Sequence, residues 1–223
     1  MTKCGMGRRY TGSFAQMVNY VSDAVVKRLP RYRRFLKDLK EQGVDKVSSK
    51  QLGEIMDVTA SQIRQDLNHF GGFGQQGYGY GVEELGERLG EILGLDKTYN
   101  MAFIGCGRLG GALINYIVAN EPNYKIAALC DIRPELQGKQ IAGVTVMGEE
   151  EFNQKLLAGG IDIVVLTIPA DQAERVSDLL ARSSVKGIWN FSMTEMVIKG
   201  KSIINMHLSD SLQALTYYIN HPD

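Results

Sequence analysis

The apolar run Met101-Ala102-Phe103-Ile104 passes directly into Gly105-Cys106-Gly107-Arg108-Leu109-Gly110-Gly111, and that segment into the helical pattern Leu113, Ile114, Ile117, Val118. Strand, G-x-G-x-x-G turn and helix in this order leave few folds open, because each glycine has its own task. The first permits a tight turn, the second lets a pyrophosphate approach the backbone, and the third lets helix and strand pack closely. Amide donors at the helix N-terminus then face the phosphates. A second strand, Lys125 to Cys130, ends in Asp131, 21 residues after Gly110, where a carboxylate can accept both hydroxyls of an adenosine ribose. These residues predict a Rossmann domain that binds NAD(H) as its cofactor. Asp131 repels a 2′-phosphate, whereas Arg133 beside it offers a guanidinium that could bind one.

The α/β alternation continues past this unit. A short turn containing Gly143-Val144-Thr145-Val146 is followed by an acidic helix from Glu149 to Leu157 and a buried strand from Ile161 to Ile168. Pro169-Ala170 closes that strand where a Rossmann domain places a loop against its cofactor, and Gln172 to Ala181 forms the next helix. Gly187 to Phe191 is a further strand. Asn190 within it reads equally as a residue near the nicotinamide end or as a strand-end turn residue. Leu208, Leu212, Leu215 and Ile219 recur on one face of a last helix, after the Rossmann unit is complete, so that helix is a candidate for packing on a second subunit.

The first third of the chain has a different character. Overall 25 Lys and Arg balance 25 Asp and Glu, yet residues 1–75 hold 13 against 7, a net of +6, and residues 76–223 hold 12 against 18, a net of −6. The zero is a cancellation, and it does not exclude a polyanionic partner. Seven basic residues lie between Lys27 and Lys40 on a helix running from the N-cap Ser22 to the stop at Gly43, which Pro30 is expected to bend or split. Ser49 to Met56 predicts a short helix, Asp57-Val58 a turn, and Thr59 the cap of another helix reaching about Phe70, a helix-turn-helix arrangement. Ser61, Gln62, Arg64 and Gln65 point away from the apolar face of Ile63, Leu67 and Phe70, and such amide and guanidinium groups pair with base edges. Six glycines in the eleven residues from Gly71 to Gly81, interleaved with aromatics, suit a β-hairpin wing with Gln75, Gln76 and Tyr78 near its tip, the alternative being a flexible linker. Val82, Leu85, Leu89, Ile92 and Leu93 mark a connecting helix.

No apolar run approaches the roughly 20 residues that span a bilayer, and the start Met1-Thr2-Lys3-Cys4-Gly5 has no signal-peptide core, so no membrane partner and a cytoplasmic location are expected. Cys4, Cys106 and Cys130 lack metal spacing and are read as reduced thiols, with no metal site. Two rival functions stay open. A dehydrogenase would need a substrate domain and a proton-transfer group at the nicotinamide, while His69, His207 and His221 lie elsewhere. A thiol sensor would use Cys106, whose place at a helix N-terminus could lower its pKa, although the preferred reading of Cys106 is a small residue simply filling that turn.

With these parts in this order, the chain resembles the Rex family of redox-sensing transcriptional repressors over about residues 22–220. The resemblance rests on Lys27-Arg28-Leu29-Pro30 with Tyr32, Ser48 to Leu52, Val58-Thr59 to Asp66-Leu67, Phe70-Gly71, Gly77 to Tyr80, Gly105 to Gly111 and Leu208 to Tyr218. It implies an α/β chain with an N-terminal winged helix-turn-helix domain, a Rossmann domain and a domain-swapped C-terminal helix. The corresponding segments are an extension 1–21, a DNA-binding domain 22–81, a connecting helix 82–97, an NAD(H)-binding domain 98–205 and a dimerisation helix 206–223. A homodimer on palindromic double-stranded operator DNA is implied, with NADH as the ligand that releases it and no catalytic residue. Cofactor contacts then fall to Gly105, Cys106, Gly107, Arg108, Leu109, Gly110, Tyr116, Asp131, Pro169, Ala170 and Asn190. DNA contacts fall to Ser49, Lys50, Thr59, Ser61, Gln62, Arg64, Gln65, Gln76 and Tyr78. The family's redox switch corresponds to Arg34, Tyr116 and His207, the last standing where an Asp is usual. Gln65 and Gln76 replace expected cations, which predicts a modest salt dependence and an altered operator preference.

Overall fold

The computed structural model describes residues 21–73 and 79–222. The N-terminal extension up to residue 20 and the wing positions Gln75, Gln76 and Tyr78 lie outside them. The chain divides into two compact units between Asp96 and Lys97.

In the first unit, α1 (Asp23–Glu41) starts at Ser22, whose hydroxyl accepts the Val25 N–H at 3.4 Å. It ends in a Schellman turn: Gly43 takes φ +74° and donates to the Lys40 carbonyl, and Val44 donates to that of Leu39. Of the two outcomes expected of Pro30, splitting does not occur: the helix runs through it without a break. Pro30 lies on the exposed side, where water can take the Val26 carbonyl that proline leaves without a donor. A short strand β1 (Lys46–Val47) follows. Then α2 (Ser49–Met56) opens with a capping box between Ser48 and Gln51, and α3 (Ala60–Asn68) opens at Thr59, whose hydroxyl accepts the Gln62 N–H at 3.1 Å. Between them Asp57 adopts φ 53° and the turn folds back so tightly that a Cβ at Gly53 would meet the Val58 carbonyl oxygen at 2.5 Å. β2 (Tyr80–Gly81) pairs antiparallel with β1, so the ribbon flanking the helix-turn-helix is closed by residues far apart in sequence. The segment read as a connector, α4 (Val82–Ile92), packs along α1 and contributes Val82, Leu85 and Leu89 to one core with Leu29, Tyr32, Leu36, Leu52 and Ile63.

In the second unit the strands are β3 (Tyr99–Ile104), β4 (Tyr124–Cys130), β5 (Gln140–Ile141), β6 (Val144–Met147), β7 (Ile163–Leu166), β8 (Gly187–Asn190) and β9 (Ser202–Asn205). Their order is β5-β6-β4-β3-β7-β8-β9, parallel throughout except for β5. Leaving β5 aside, this is the doubly wound order 3-2-1-4-5-6, with its crossover reversal between β3 and β7. The stretch expected as a turn at 143–146 is mostly strand. Only Ala142 and Gly143, with φ of 51° and 78°, make the turn, which suits a two-residue hairpin between β5 and β6. The helices α5 (Arg108–Asn120), α6 (Glu149–Ala158) and α7 (Ala170–Arg182) cover the sheet over two apolar cores. One holds Phe152, Leu156 and Leu180, the other Ile114 and Ile117. The last helix, α8 (Leu208–Asn220), buries none of its residues.

Candidate functional site

The glycine turn sits at the C-terminal end of β3, beside the switch point. Gly105 has φ +96°, and a Cβ there would meet the Thr167 carbonyl oxygen at 2.6 Å, so both conformation and space demand glycine. A Cβ on Gly110 would fall onto the Gly105 carbonyl oxygen, the close helix-to-strand approach expected of the third glycine. Gly107 differs, because its missing Cβ would meet only the end of the Arg133 side chain, and the residue lines the cavity that opens beside Asp131. Thr167, which sequence reasoning passed over, staples the turn: its hydroxyl donates to the Gly105 carbonyl at 2.6 Å. The signal was a hydroxyl at the end of an otherwise apolar strand.

Asp131 ends β4 with 4% of its surface exposed. Its carboxylate accepts the Cys106 N–H at 2.7 Å and the Arg133 N–H at 3.0 Å, and two guanidinium bonds from Arg133 at 2.9 Å. Burial works against its charge, yet the Arg133 guanidinium and the two amides hold the carboxyl below its ordinary range. A cavity of about 800 Å³ opens here, lined by Gly105, Gly107, Asp131, Arg133, Thr167 and Pro169 and extending between α6 and α7. Ala170 starts α7 and is exposed. Arg108, Leu109 and Tyr116 lie on exposed positions of α5. The glycine cradle, amide donors and terminal carboxylate fit a dinucleotide.

Two sequence expectations change here. The Cys106 thiol is not activated: burial, with the Asp131 carboxylate beside it, pushes its pKa up to about 11, and its sulfur donates to the Cys130 carbonyl at 3.5 Å. It precedes the helix and is buried, so the helix N-terminus gives its thiolate no effective support. Of the two readings left open for Asn190, the geometry supports the strand-end one. Its amide donates to the Thr194 carbonyl at 2.7 Å and to Asn205 at 2.9 Å, while its oxygen accepts the Ser192 N–H at 3.0 Å and hydroxyl at 2.6 Å. All four hydrogen-bonding positions serve the loop between β8 and β9.

In the first unit, α3 presents Ser61, Arg64 and Gln65 on an open groove of about 510 Å³ that also includes Asn68 and His69. Arg64 donates to the Ser49 hydroxyl at 2.9 Å, joining α3 to the start of α2, while Lys50 stands exposed with Glu54 3.9 Å away. Thr59 is spent as a cap. Gln62 does not face outward as the helical spacing suggested, because its amide turns to donate to Asp66 at 2.7 Å. Asp66 is fully buried and also accepts Arg28 at 2.6 and 2.7 Å and the Tyr32 hydroxyl at 2.6 Å. A carboxylate on the apolar face between Ile63 and Leu67 was the signal for this anchor. Of the switch residues, Arg34 is exposed with its guanidinium 5.7 Å from the Phe35 ring centre, and His207 bonds to Glu195 at 2.8 Å.

Residues 20–68 match the family described as "Putative DNA-binding protein N-terminus", and residues 96–194 that described as "CoA binding domain". The chain is 48% identical over 204 residues to the redox-sensing transcriptional repressor Rex of Caldanaerobacter subterraneus subsp. tengcongensis, covering 91% of both chains. It is 45% identical to that of Clostridium beijerinckii over 91% of this chain and 97% of the relative. Among solved structures it is similar to RSP, a Rex-family repressor, with a TM-score of 0.84 and 47% identity over 91% of this chain and 96% of that one. RSP has also been solved with β-NAD+ and operator DNA, and that structure matches with a TM-score of 0.84, 48% identity and coverage of 91% and 94%. Its complex with β-NADH matches with a TM-score of 0.82, 45% identity and coverage of 91% and 95%. A helix-turn-helix unit followed by a dinucleotide crevice, with this identity across nine-tenths of the chain, places the protein in the Rex family of redox-sensing transcriptional repressors.

Proposed function

We propose that this chain is a DNA-binding transcriptional repressor that senses the ratio of NADH to NAD+, and that NADH bound to the Rossmann domains of a homodimer releases operator DNA. The observation that carries the reading is the near full-length similarity to RSP, which was solved with β-NAD+ on operator DNA and with β-NADH. The glycine cradle with Asp131 supplies the dinucleotide site, and the open face of α3 supplies the reading surface. In this reading Ser61, Arg64 and Gln65 meet base edges or phosphates, with Gln76 and Tyr78 reaching the DNA from the wing, and Arg34, Tyr116 and His207 take part in the switch. The relatives are named as repressors, and we take this chain likewise as a regulator without catalysis, acting in the cytoplasm where its operator lies.

The linkage is two-state. NADH favours a dimer whose reading heads are mis-spaced, and DNA favours one whose heads stand about 34–36 Å apart or a multiple of that. Moving such an equilibrium from 1:99 to 99:1 takes about 5.5 kcal/mol of differential binding. Titrating NADH and NAD+ in parallel into a protein–operator complex tests the reading. Release by NADH at concentrations where NAD+ leaves the complex intact is expected. Equal release by both would sink the redox reading, and hydride transfer to an added carbonyl substrate would revive the dehydrogenase.

A further inference from the structure

Arg64 carries the guanidinium of the α3 reading face, and that group does not hang free. Its Nη1 donates to the Ser49 hydroxyl at 2.9 Å, across 15 residues of sequence. Both ends of this bond stand on fixed ground. Ser49 is the first residue of α2, and the chain enters that helix pressed against the β1–β2 ribbon. Val47 pairs with Tyr80, and a Cβ on Gly79 would meet the Val47 carbonyl oxygen at 2.7 Å and the Ser48 amide nitrogen at 3.4 Å. Ser48 closes the capping box with Gln51, so Ser49 is not needed as the cap and its hydroxyl can serve another group. On the other side, α3 is tied to α1 through Asp66, which accepts Gln62 from α3 and Arg28 and Tyr32 from α1. Burial raises the Tyr80 pKa while the Arg64 charge works against that rise, which sets the guanidinium near the ribbon as well as α2.

The bond leaves the useful part of the side chain open. A guanidinium carries five N–H donors, and Ser49 takes one of them from Nη1. The edge formed by Nε and Nη2 makes no hydrogen bond among the described residues, and the side chain lines the open groove with Ser61, Gln65, Asn68 and His69. Such an edge offers two parallel donors, which match two adjacent acceptors, and in the major groove guanine presents these as O6 and N7. A phosphate accepts the edge from many directions, whereas a base accepts it from one. Holding the guanidinium in advance therefore serves base reading above all, and an arginine already held loses less side-chain freedom on docking.

We propose that Ser49 is a positioning residue for sequence reading: it fixes the Arg64 guanidinium so that the Nε and Nη2 edge faces the paired acceptors of a base, and the β1–β2 ribbon fixes Ser49 in turn. This rests on the operator-binding function proposed for the chain.

The test uses the full chain, the palindromic duplex that wild type selects from random-sequence DNA, and a scrambled duplex of equal length. The quantity read is discrimination, the ratio of the two dissociation constants, because contacts to the DNA backbone cancel from it. Ser49→Ala should lower discrimination about tenfold, roughly threefold for each of two reading heads, the lower end of what one hydrogen bond contributes. Affinity for the scrambled duplex should change by less than about twofold, since no charge is removed. Ser49→Thr, which keeps the hydroxyl, should discriminate as wild type does. In an Arg64→Ala background, Ser49→Ala should take no further discrimination away. Unchanged discrimination in Ser49→Ala, the same fall with and without Arg64, or a Ser49→Thr chain as poor as Ser49→Ala would each overturn the proposal and leave the repressor reading intact. If wild type selects no duplex at all, that reading fails and this proposal with it.

Discussion

Asp66 receives hydrogen bonds from three side chains, and it has no exposed surface. Its carboxylate joins α1, through Arg28 and Tyr32, to the helix that carries the reading face. Breaking such a buried pair leaves the remaining donors without an acceptor, so Asp66→Ala should cost about 3 kcal/mol in urea unfolding. It should also weaken operator binding, since α3 loses its anchor to α1. Burial opposes the charge on Asp66, but Arg28, Tyr32 and Gln62 together hold its carboxyl below the ordinary value. A group with a depressed folded pKa contributes stability above its unfolded value, near 3.9, and loses it as pH falls through the folded value. The difference in stability between wild type and Asp66→Ala should therefore stay level from pH 7 down to about pH 5 and shrink below about pH 4. A difference that grows in acid would show that this carboxylate is not held ionised. The Tyr32 hydroxyl moves the opposite way: burial and the Asp66 carboxylate raise its pKa, so it remains a donor throughout this range.

Within the helices glycine is either indispensable or wasted, and the contrast can be measured. A Cβ at Gly110 falls onto backbone, and at Gly53 it meets the Val58 carbonyl oxygen at 2.5 Å, whereas at Gly111 nothing lies within 4 Å. Gly111→Ala should therefore stabilise α5 by about 0.5–1 kcal/mol, the ordinary helical preference for alanine. Gly110→Ala should disrupt the crevice and abolish dinucleotide binding, and Gly53→Ala should destabilise the helix-turn-helix. Thermal melts of the three variants check the order. The glycine pattern from Gly105 to Gly111 was legible because it is local to a strand-turn-helix signature, whereas the demand for glycine at Gly53 comes from the fold-back of the chain at Val58. The caps at Ser22 and Thr59 were legible as local patterns too, while the capping box of Ser48 with Gln51 went unread. What stayed hidden depends on partners distant in sequence or on hydrogen-bond geometry. Asn190 is satisfied half by Ser192 and half by Thr194 and Asn205, Gln62 turns inward because Asp66 lies one helical turn away, and β1 finds its partner only after the chain returns at Tyr80. The strand β9 escaped notice because it is a four-residue edge strand with no fully buried side chain. Arg133 was read as a neighbour of Asp131, but its two-point hold belongs to geometry.

At the scale of the whole molecule, α8 poses a solvation problem that a second chain would solve. Leu208, Leu212, Leu215 and Ile219 are each more than half exposed on it, together with Tyr217 and Tyr218. Burying a leucine or isoleucine side chain fully is worth about 1.5–3 kcal/mol, so covering such a face is strongly favourable, and an isologous homodimer covers it twice. The protein should therefore run in light scattering at twice its chain mass of 24.7 kDa. The double substitution Leu212→Glu with Leu215→Glu places two carboxylates on that face and should yield a monomer. Because the first unit is built on its own core, the variant should keep the fold of α1 to α4, and a monomer should still touch one half-site. It would lose the gain from engaging two half-sites at once, commonly a factor of 10²–10⁴ in avidity. Operator affinity should thus fall by about that factor while the salt slope is roughly halved, since the slope counts the phosphates neutralised by the bound species. Gln65→Lys in the intact dimer adds one cation to each reading head and should steepen the slope by about 1.8 if each new lysine neutralises a phosphate. A Leu212→Glu, Leu215→Glu protein that remains a dimer with unchanged operator affinity would remove α8 from the interface and leave its apolar face to another partner.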